Sequence, residues 1–328
     1  MSTKIRIGIA GYGNLGKGVE LALSQNPDME LVAVFSRRDP THLKLQNPAV
    51  PVYELAAIEQ HKDSIDVLIL CGGSKDDLPE QGPHLAQWFN TIDSFDTHAA
   101  IPEYFAAVDA VAQKSQRTNI IAVGWDPGLF SINRLMGECV LPVGQTYSFW
   151  GKGLSQGHSD AVRRVEGVKG GVQYTLPIET AVNSVRKGEQ PTLSTREKHR
   201  RECYVVLDEG ASAETVRERI VTMPHYFDEY DTTVHFISQE ELDRDHAAMP
   251  HGGFVIRSGV SAAQTKQSVE YSLNLGSNPE FTSSVLVAYA RAAYRLAQQG
   301  QFGAKTVFDI APGLISPKSA ADLRKELL

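Results

Sequence analysis

The chain has few of the residues and patterns that mark several classes of protein. Its 328 residues include only three cysteines, Cys71, Cys139 and Cys203. They are too few and too scattered for a disulfide framework or a zinc site, so we expect a reducing compartment and no metal. No run of about 20 apolar residues is present to form a membrane helix, and the start lacks the pattern of a signal peptide. We therefore expect a cytoplasmic protein with no membrane partner.

Long basic runs are also lacking, and the net charge at pH 7 is -7. An acidic protein without a basic stripe is poorly suited to the phosphate backbone of a nucleic acid. We therefore expect no nucleic-acid partner, which leaves a small ligand as the main candidate.

The first part of the sequence instead contains a regular alternation of apolar runs and helical patterns. KIRIGIA, ELVAVF and DVLILCGG are continuous apolar runs rich in β-branched residues. Such runs, separated by helices, are typical of a parallel sheet covered on both faces. We predict an α/β fold with a doubly wound parallel (Rossmann) sheet over residues 1–124, as a dinucleotide-binding domain.

Residues 125–279 have a different pattern of apolar and polar residues. GVQYTLPI, ECYVVLDE, TTVHFIS and QSVEYSLNL alternate apolar and polar residues, which favours a mixed or antiparallel sheet with one buried face. We predict a second, α+β domain for substrate binding and oligomerisation, with helices on one face of its sheet. The helical tail, about residues 280–328, is expected to pack back on the first domain, and Ser316 and Pro317 are the predicted start signals of its last helix.

A glycine motif follows the first predicted strand and opens a helix. Its residues are Gly11, Tyr12, Gly13, Asn14, Leu15 and Gly16. The three glycines permit a tight turn, a close approach of backbone to pyrophosphate, and close packing of helix on strand. The alternative is a glycine turn with no ligand.

The end of the second strand selects the type of dinucleotide. An NAD site usually has an acid there, whereas this chain has Ser36, Arg37 and Arg38. A hydroxyl and two guanidinium groups suit the 2′-phosphate of NADP(H). The alternative is a solvated pair of arginines, one of them held by Asp39.

Further candidates follow other strands of the first domain. Cys71, Gly72 and Ser74 end a parallel strand at the edge where ligands bind, although a plain loop is the alternative. IDSFDTH carries Asp93 and Asp96, and GWDPG carries Trp125 and Asp126. Two carboxylates beside a nicotinamide can hold an ammonium group and accept a proton. Alternatively, Asp126 caps a helix that begins with Pro127.

In the second domain, the glycine-rich stretch 149–164 offers backbone amides that can bind a carboxylate. His158 within it is expected to be structural, and Arg201 and His251 offer positive or hydrogen-bonding groups.

Together with VQYTLP, TMPHYF and MPHGG, these segments resemble the meso-diaminopimelate dehydrogenase family over nearly the whole chain. The resemblance implies NADP-dependent, reversible oxidative deamination of the D-centre of meso-2,6-diaminopimelate to L-2-amino-6-oxopimelate and ammonia, in lysine and cell-wall precursor synthesis. It implies a homodimer built through the second domain.

The resemblance also implies the role of each site residue. Asp96 and Asp126 would hold the reacting amino group, and Trp125 and Trp150 would shape the pocket. The residues near the D-carboxylate would be Ser155, Gln156 and Gly157. The residues that bind the distal L-centre would be Thr175, Arg201, His251 and Asn278.

Two other functions fit part of the pattern. Another NADPH-dependent reductase of the lysine and aspartate pathway would share the cofactor turn and a mixed second domain, but would not need two acids. A non-catalytic NADPH-sensing regulator would bind the cofactor without turning over a substrate.

Overall fold

The computed structural model describes residues 4–328. Its strands are β1 (Ile5–Ala10), β2 (Met29–Ser36), β3 (Val52–Glu54), β4 (Val67–Leu70), β5 (Thr91–Asp93), β6 (Thr118–Ile120), β7 (Gly144–Trp150), β8 (Gly153–Leu154), β9 (Val168–Pro177), β10 (His199–Leu207), β11 (Asp231–Phe236), β12 (His251–Val260), β13 (Lys266–Leu275) and β14 (Gly303–Lys305). Its α-helices are α1 (Asn14–Ser24), α2 (Leu78–Leu85), α3 (Ile101–Ser115), α4 (Leu129–Val140), α5 (Gln156–Arg163), α6 (Glu179–Arg186), α7 (Thr195–Lys198), α8 (Ala213–Val221), α9 (Gln239–Asp245), α10 (Asn278–Gln298), α11 (Pro312–Ile315) and α12 (Ala320–Leu327).

The chain divides into two compact units. Unit 1 consists of Met1–Ile132 and Pro279–Leu328, and unit 2 is Asn133–Asn278. The corresponding boundaries in the sequence prediction are 124/125 and 279/280. Unit 1 is therefore assembled from both ends of the sequence, and unit 2 lies between them in chain order.

Unit 1 contains a parallel sheet with the strand order β14-β6-β5-β4-β1-β2-β3. The strand order reverses between β1 and β4, since β2 follows on one side of β1 and β4 lies on the other. In such sheets the ligand binds at the carboxyl ends of the strands beside this reversal. The residues of β4 are all buried, as a strand covered on both faces requires. The predicted doubly wound α/β class is confirmed.

Helix α10 contributes to the core of unit 1. Its residues Val285, Leu286 and Tyr289 lie in the same buried cluster as Ile7 and Ile9 of β1. The chain then adds β14 beside β6, where Gly303 pairs with Thr118. The last part of the sequence thus supplies both core side chains and an edge strand to this unit.

Unit 2 contains two sheets, with strand orders β11-β10-β9-β8 and β13-β12-β7 in the described part of the chain. Helices α5 and α8 cover one face of the first sheet through Val162, Val216 and Ile220. Helix α9 packs on the opposite face, where Leu242 contacts the cluster around Tyr174. The α+β class is confirmed, but the prediction that helices cover one face only is wrong, because the short helix α9 has little apolar periodicity to reveal it.

The start of the last helix also differs from the prediction. Helix α12 begins at Ala320, and Ser319 is its N-cap, with a hydroxyl that accepts from the Asp322 backbone at 3.1 Å. The predicted start signals Ser316 and Pro317 therefore precede the cap, and Pro317 is not in the first turn. Among residues 4–328, none of the helices has the length and apolar character needed to cross a bilayer.

Candidate active site

The glycine motif forms the turn between β1 and α1. Gly11 has a φ of 98°, a conformation that residues with a Cβ rarely adopt. A Cβ on Gly16 would lie 2.2 Å from the carbonyl oxygen of Gly11, whereas a Cβ on Gly13 would meet no atom within 4 Å. Gly16 therefore allows the helix to start close to the strand, and Gly13 leaves open space above the turn. This space fits a pyrophosphate at the N-terminus of α1.

The other residues of the motif serve the turn in different ways. The hydroxyl of Tyr12 is buried and donates to Glu20 of α1, and the Glu20 carboxylate also accepts from the Asn47 backbone at 2.8 Å. Leu15 packs against the core of unit 1, and Asn14 is the first residue of α1. Any contact of these three residues with a cofactor remains a prediction.

A cavity of about 280 Å³ extends from this turn to the ends of β2 and β4. Its lining includes Ser36, Arg37 and Arg38 at one end and Cys71 and Gly72 beside the turn. The structure thus brings together most of the predicted cofactor residues. Its lining also includes Leu55, Asp77 and Gln81, which were not predicted from the sequence.

Two arginines occupy the corner expected for the 2′-phosphate. Arg37 is 71% exposed at its side chain and forms an ion pair of 2.8 Å with Asp77. Arg38 donates from its guanidinium to the Tyr12 carbonyl oxygen and from its backbone to Ser36 Oγ at 3.0 Å. Asp39 accepts from Thr41 instead. The alternative in which Asp39 holds one of the arginines is therefore wrong.

Asp77 was missed because it is distant in sequence from the arginines. Its carboxylate also accepts from the Gly73 backbone at 2.9 Å, so it orders the loop after β4 as well as Arg37. A usable signal existed, since acids that follow CGGS lie at the carboxyl edge of the sheet, where the arginines also lie.

The candidate carboxylates follow β5 and β6. Asp96 is exposed, and its backbone N–H donates to Ser74 Oγ at 3.1 Å, which ties this loop to the loop after β4. Trp125 is buried, packing edge-to-face on Phe130 at 5.2 Å, and Asp126 is half-buried. Because α4 begins at Leu129, Pro127 is not its first residue, and the alternative of a helix that begins at Pro127 is wrong.

In unit 2, the glycine-rich stretch becomes β8 and the start of α5. Ser155 is the N-cap of α5 and accepts from the His158 backbone, so Gln156 and Gly157 lie in the first turn. A Cβ on Gly157 would meet no atom within 4 Å. The first turn of α5 therefore presents backbone N–H groups in a place where a carboxylate fits.

Arg201 is the most unusual group of unit 2. It is 6% exposed, and its guanidinium donates to Thr175 Oγ1 and, at 3.3 Å, to His158 Nε2. The guanidinium also lies 3.9 Å from the ring of Tyr230. Within residues 4–328 no carboxylate pairs with it, and its Nε atom has no hydrogen-bond partner. A buried guanidinium of this kind is suited to an anion supplied from outside the chain.

His158 holds Arg201 in this arrangement. Burial, followed by the neighbouring Arg201 charge, lowers the pKa of His158 to about 4, so its ring is neutral at pH 7. Its Nδ1 atom lies 2.8 Å from Ser155 Oγ, and Nε2 accepts from Arg201. The histidine thus links the N-cap of α5 to the arginine, in keeping with the structural role expected from the sequence.

The remaining predicted residues of unit 2 lie on two neighbouring strands and at the start of α10. Trp150 donates from its backbone to His199 Nε2 at 2.8 Å and stacks on that ring. The ring of His251 lies against Gly153, where a Cβ would be 2.4 Å from Nδ1. Asn278 donates from its backbone to the Met249 carbonyl oxygen at 2.9 Å. Among the predicted residues of unit 2, hydrogen bonds connect Ser155 to Arg201 through His158, and Arg201 to Thr175.

Known proteins are similar to this chain over nearly its full length. Residues 124–277 match the family model described as diaminopimelic acid dehydrogenase C-terminal domain. The meso-diaminopimelate D-dehydrogenase of Lysinibacillus sphaericus is 70% identical over 324 residues, covering 99% of both chains. The chain belongs to the meso-diaminopimelate D-dehydrogenase family. The resemblance inferred from the sequence is confirmed.

Two solved structures of dehydrogenases have the same fold. The first is a meso-dapdh from Clostridium tetani that carries six substitutions and was crystallised with DAP. It matches with a TM-score of 0.93 and 55% identity, covering 99% of this chain and 100% of that one. An engineered D-amino acid dehydrogenase bound to NADP+ matches with a TM-score of 0.86 and 43% identity, again covering 99% and 100%.

Proposed function

We propose that this chain is an NADP-dependent meso-2,6-diaminopimelate D-dehydrogenase. It converts the D-centre to a 2-oxo acid, giving L-2-amino-6-oxopimelate, ammonium, NADPH and a proton from meso-diaminopimelate, NADP+ and water, and the reaction is reversible. Its place is in lysine biosynthesis and the supply of cell-wall precursors. Membership of the family supports this assignment, and the chemistry of the residues in each unit agrees with it.

One observation carries the substrate assignment. The DAP-bound mutant from Clostridium tetani is substituted at a Gln, a Thr, an Arg, a Pro, a His and an Asn, separated by 19, 26, 49, 1 and 27 residues. This chain has the same residue types at the same separations: Gln156, Thr175, Arg201, Pro250, His251 and Asn278. The correspondence supports the assignment of these residues to the substrate site, and Pro250 joins those selected from the sequence.

The cofactor is NADP(H), and unit 1 holds it. The turn at Gly11 and Gly13 and the N-terminus of α1 bind the pyrophosphate, and Ser36, Arg37 and Arg38 bind the 2′-phosphate. Cys71, Gly72 and Ser74 lie along the bound dinucleotide. When bound, NADP+ accepts the hydride from the D-centre carbon.

The side chains of this chain provide the rest of the chemistry. Asp96 and Asp126 hold the D-ammonium group, and one of these carboxylates takes the proton that leaves the nitrogen as the imine forms. Water then attacks the imine carbon, and ammonium leaves. The first turn of α5 binds the D-carboxylate, and Trp125 and Trp150 remain the residues that we expect to shape the pocket.

The distal L-centre binds in unit 2. The Arg201 guanidinium pairs with its carboxylate, which gives this buried charge the anion it lacks among residues 4–328. Thr175 orients the guanidinium, and His251 and Asn278 bind the amino group of this centre and its carboxylate. This second amino-acid head distinguishes diaminopimelate from simple D-amino acids.

The first test measures NADPH formation by its near-ultraviolet absorbance, with NADP+ and meso-diaminopimelate at alkaline pH. The L,L-isomer and simple D-amino acids replace the substrate in parallel samples, and NAD+ replaces the cofactor. We expect rapid reduction only with the meso compound and NADP+. Cofactor binding without NADPH formation would favour the sensing regulator, and activity in the direction of a different reductase would favour that alternative.

The second test compares two neighbouring arginines of β10. Arg201→Met should raise the KM for meso-diaminopimelate by about ten- to hundredfold, because charged hydrogen bonds contribute about 1.5–3 kcal/mol. Arg200→Met is the matched control, since Arg200 is 53% exposed at its side chain and pairs with Glu202. Equal KM values for the two variants would remove Arg201 from the substrate site.

A third test concerns the two acids. Asp126→Asn and Asp96→Asn each keep the size of the side chain but remove its charge, so both should raise the KM for the substrate. The variant that also loses kcat by about a hundredfold or more identifies the base. Normal kcat in both variants would leave the carboxylates with a binding role only.

We further propose that the protein is a homodimer formed through unit 2. Helix α4 leaves Met136 and Val140 more than half exposed, and Val143 follows at 62%. Gly137 of α4 packs on Arg257 of β12, the residue that pairs with the exposed Val269 of β13. These side chains form an apolar surface that a partner subunit would cover.

Light scattering of the purified protein tests this interface. Met136→Glu combined with Val140→Glu should convert a dimer to a monomer, because each carboxylate would be buried without a partner. Leu21→Glu on α1 is the control, since Leu21 is similarly exposed but lies in unit 1. A double variant that remains dimeric would place the interface elsewhere.

We also propose a cytoplasmic location, supported by the three cysteines of the chain, which are all free thiols. Fractionation of cells that produce the protein at natural levels checks this, and recovery outside the cytoplasm would contradict it.

A further inference from the structure

Asp93 is a buried carboxylate that the proposed mechanism does not use. It is the last residue of β5 and is 1% exposed. One oxygen, Oδ1, accepts from the backbone N–H groups of Phe95 and Ala122, both at 3.0 Å. The other, Oδ2, accepts from the hydroxyl of Tyr104 at 2.8 Å. All three donors are neutral, so no cation offsets the burial of this charge.

The two backbone donors belong to different loops. Phe95 directly precedes Asp96, and Ala122 lies between β6 and Asp126. The backbone of Asp93 adds a further bond, because its carbonyl oxygen accepts from Val123 at 2.8 Å. A single residue therefore holds the start of both loops that carry the candidate carboxylates.

The loop after β6 has a strained backbone that this hydrogen bond stabilises. Ala122 has a φ of 56°, in the left-handed region that disfavours residues with a Cβ and costs of order 1 kcal/mol or more. The hydrogen bond from its N–H to Asp93 helps to keep it there. Without this bond, the backbone of Ala122 would relax toward an ordinary conformation and turn the chain that leads to Trp125 and Asp126.

Tyr104 sets the orientation of the Asp93 carboxylate. Its ring on α3 stacks on Phe95, with centroids 4.2 Å apart and planes 20° apart. Gly82 of α2 leaves room for the hydroxyl, because a Cβ there would lie 2.1 Å from it. The phenol thus fixes Oδ2 from one side while Oδ1 faces the two loops.

We propose that Asp93 is a positioning residue that sets the separation of Asp96 and Asp126 for the amino group of the substrate. The inference rests on the proposed function, which assigns those two acids to that group. Asp96 directly follows Phe95, whose N–H donates to the Asp93 carboxylate, and Asp126 lies three residues after Val123, whose N–H donates to the Asp93 carbonyl oxygen. A shift of about 1 Å at reacting groups can lower a rate by about a hundredfold.

The cost of burying Asp93 supports this role. Burial raises its pKa to about 6, although the hydrogen bonds from Phe95, Ala122 and Tyr104 oppose that rise. Burying a carboxylate that has no cation beside it costs free energy and lowers the stability of the folded state. Such groups are concentrated at functional sites, and this one lies at the carboxyl end of a strand in the candidate active site.

The experiment compares Asp93→Asn and Tyr104→Phe with a control, Asp109→Asn. Asp109 of α3 accepts from the Ala304 backbone at 2.8 Å, so it also fixes a strand end in unit 1, but at β14. Asp93→Asn should lower kcat/KM for meso-diaminopimelate by about ten- to hundredfold, with the KM for NADP+ within about twofold. Tyr104→Phe should lower kcat/KM for meso-diaminopimelate several-fold, which corresponds to the loss of about one hydrogen bond. Asp109→Asn should change this kcat/KM by less than about twofold.

Each outcome bears on the proposal. Equal kcat/KM values for folded Asp93→Asn and Asp109→Asn overturn it. Parallel rises in the KM for NADP+ and for the amine substrate, together with a lower melting temperature, also overturn it, because they indicate a general structural role. If Asp93→Asn does not fold, a normal kcat/KM in Tyr104→Phe overturns it. An inactive wild-type protein instead overturns the proposed function, and this inference falls with it.

Discussion

The two arginines at the end of β2 are held by different partners. Arg37 extends to Asp77 across the mouth of the cavity, whereas Arg38 is tied to the Tyr12 carbonyl oxygen in the glycine turn. A 2′-phosphate would replace the Asp77 carboxylate as the partner of Arg37. At Arg38 it would be an additional partner, beside the neutral carbonyl oxygen of Tyr12. Arg38 is therefore the more preorganised of the two, and Arg37 is the more adaptable.

We predict that Arg37→Ala and Arg38→Ala each raise the KM for NADP+ about tenfold or more, because each removes a charged hydrogen bond to phosphate. The KM for NAD+, which lacks that phosphate, should change little. Arg6→Ala is a matched control, since Arg6 also pairs with an aspartate, Asp66, in the same sheet. Steady-state kinetics with both cofactors checks this, and equal losses for NADP+ and NAD+ would rule out 2′-phosphate recognition.

Much of the candidate site was predictable from the sequence because it lies at strand ends with local signatures. The glycine turn and Ser36, Arg37 and Arg38 occur at fixed spacing after predicted strands, so topology alone places them around one cavity. Asp77 and the link from His158 to Arg201 were not predictable in the same way. Their hydrogen bonds join residues tens of positions apart, and no periodic pattern records such contacts.

At the scale of the element, different glycines in the turn between β1 and α1 serve folding and cofactor binding. Gly16 is needed for packing, because a methyl group there would overlap the Gly11 carbonyl. Gly13 has open space around the same position, so its small size matters only to a ligand. Glycine is thus required at Gly16 for packing of the helix on the strand and at Gly13 for the approach of a ligand.

We predict that Gly13→Ala keeps a melting temperature within a few degrees of wild type but raises the KM for NADP+, because the new methyl group occupies the path of the pyrophosphate. Gly16→Ala should lower the melting temperature by several degrees, through a clash worth about 1–3 kcal/mol. Thermal unfolding and cofactor kinetics, measured on both variants, check the distinction. A destabilised Gly13→Ala protein with normal cofactor kinetics would reverse the two roles.

The elements themselves were predicted where periodicity was strong. The parallel strands of unit 1 are continuous apolar runs, and α3 and α10 are long enough to show a helical stripe. The prediction was wrong where an element is short: α9 has seven residues, and the start of α12 depends on the choice between Ser316 and Ser319. Ser316 precedes a proline, which also marks helix starts, whereas Ser319 has an acid, Asp322, three residues later, and the hydrogen bond from the Asp322 backbone to Ser319 decides the latter.

At the scale of the whole molecule, buried histidines couple stability to pH. Burial, and then the neighbouring Arg201, lowers the pKa of His158 to about 4 and that of His199 to about 3, whereas an unfolded histidine titrates near pH 6.5. Below that pH the unfolded chain takes up protons that the folded chain refuses. Asp93, with its raised pKa of about 6, acts in the opposite direction, but one acid does not cancel two histidines.

We therefore predict that the free energy of unfolding falls as the pH drops from about 6.5 to about 4, and that it loses up to about 1.4 kcal/mol per pH unit for each net proton. His199→Gln should reduce this slope, because a glutamine oxygen can accept the bond from Trp150 without titrating. Urea unfolding between pH 7 and pH 4 measures it, with His42→Gln on the exposed surface as the control. An unchanged slope in His199→Gln would contradict the assignment of a neutral, buried His199.

The assembly of unit 1 from both ends of the sequence has a consequence for synthesis on the ribosome. Strand β1 is translated before unit 2, whereas the α10 residues that complete its core and β14 at the edge of its sheet are translated after unit 2. Unit 2, Asn133–Asn278, leaves the exit tunnel as one continuous piece before then. Domains form as units when their residues become available. Unit 1, which binds the cofactor, therefore cannot complete its core and its sheet until unit 2 has been translated.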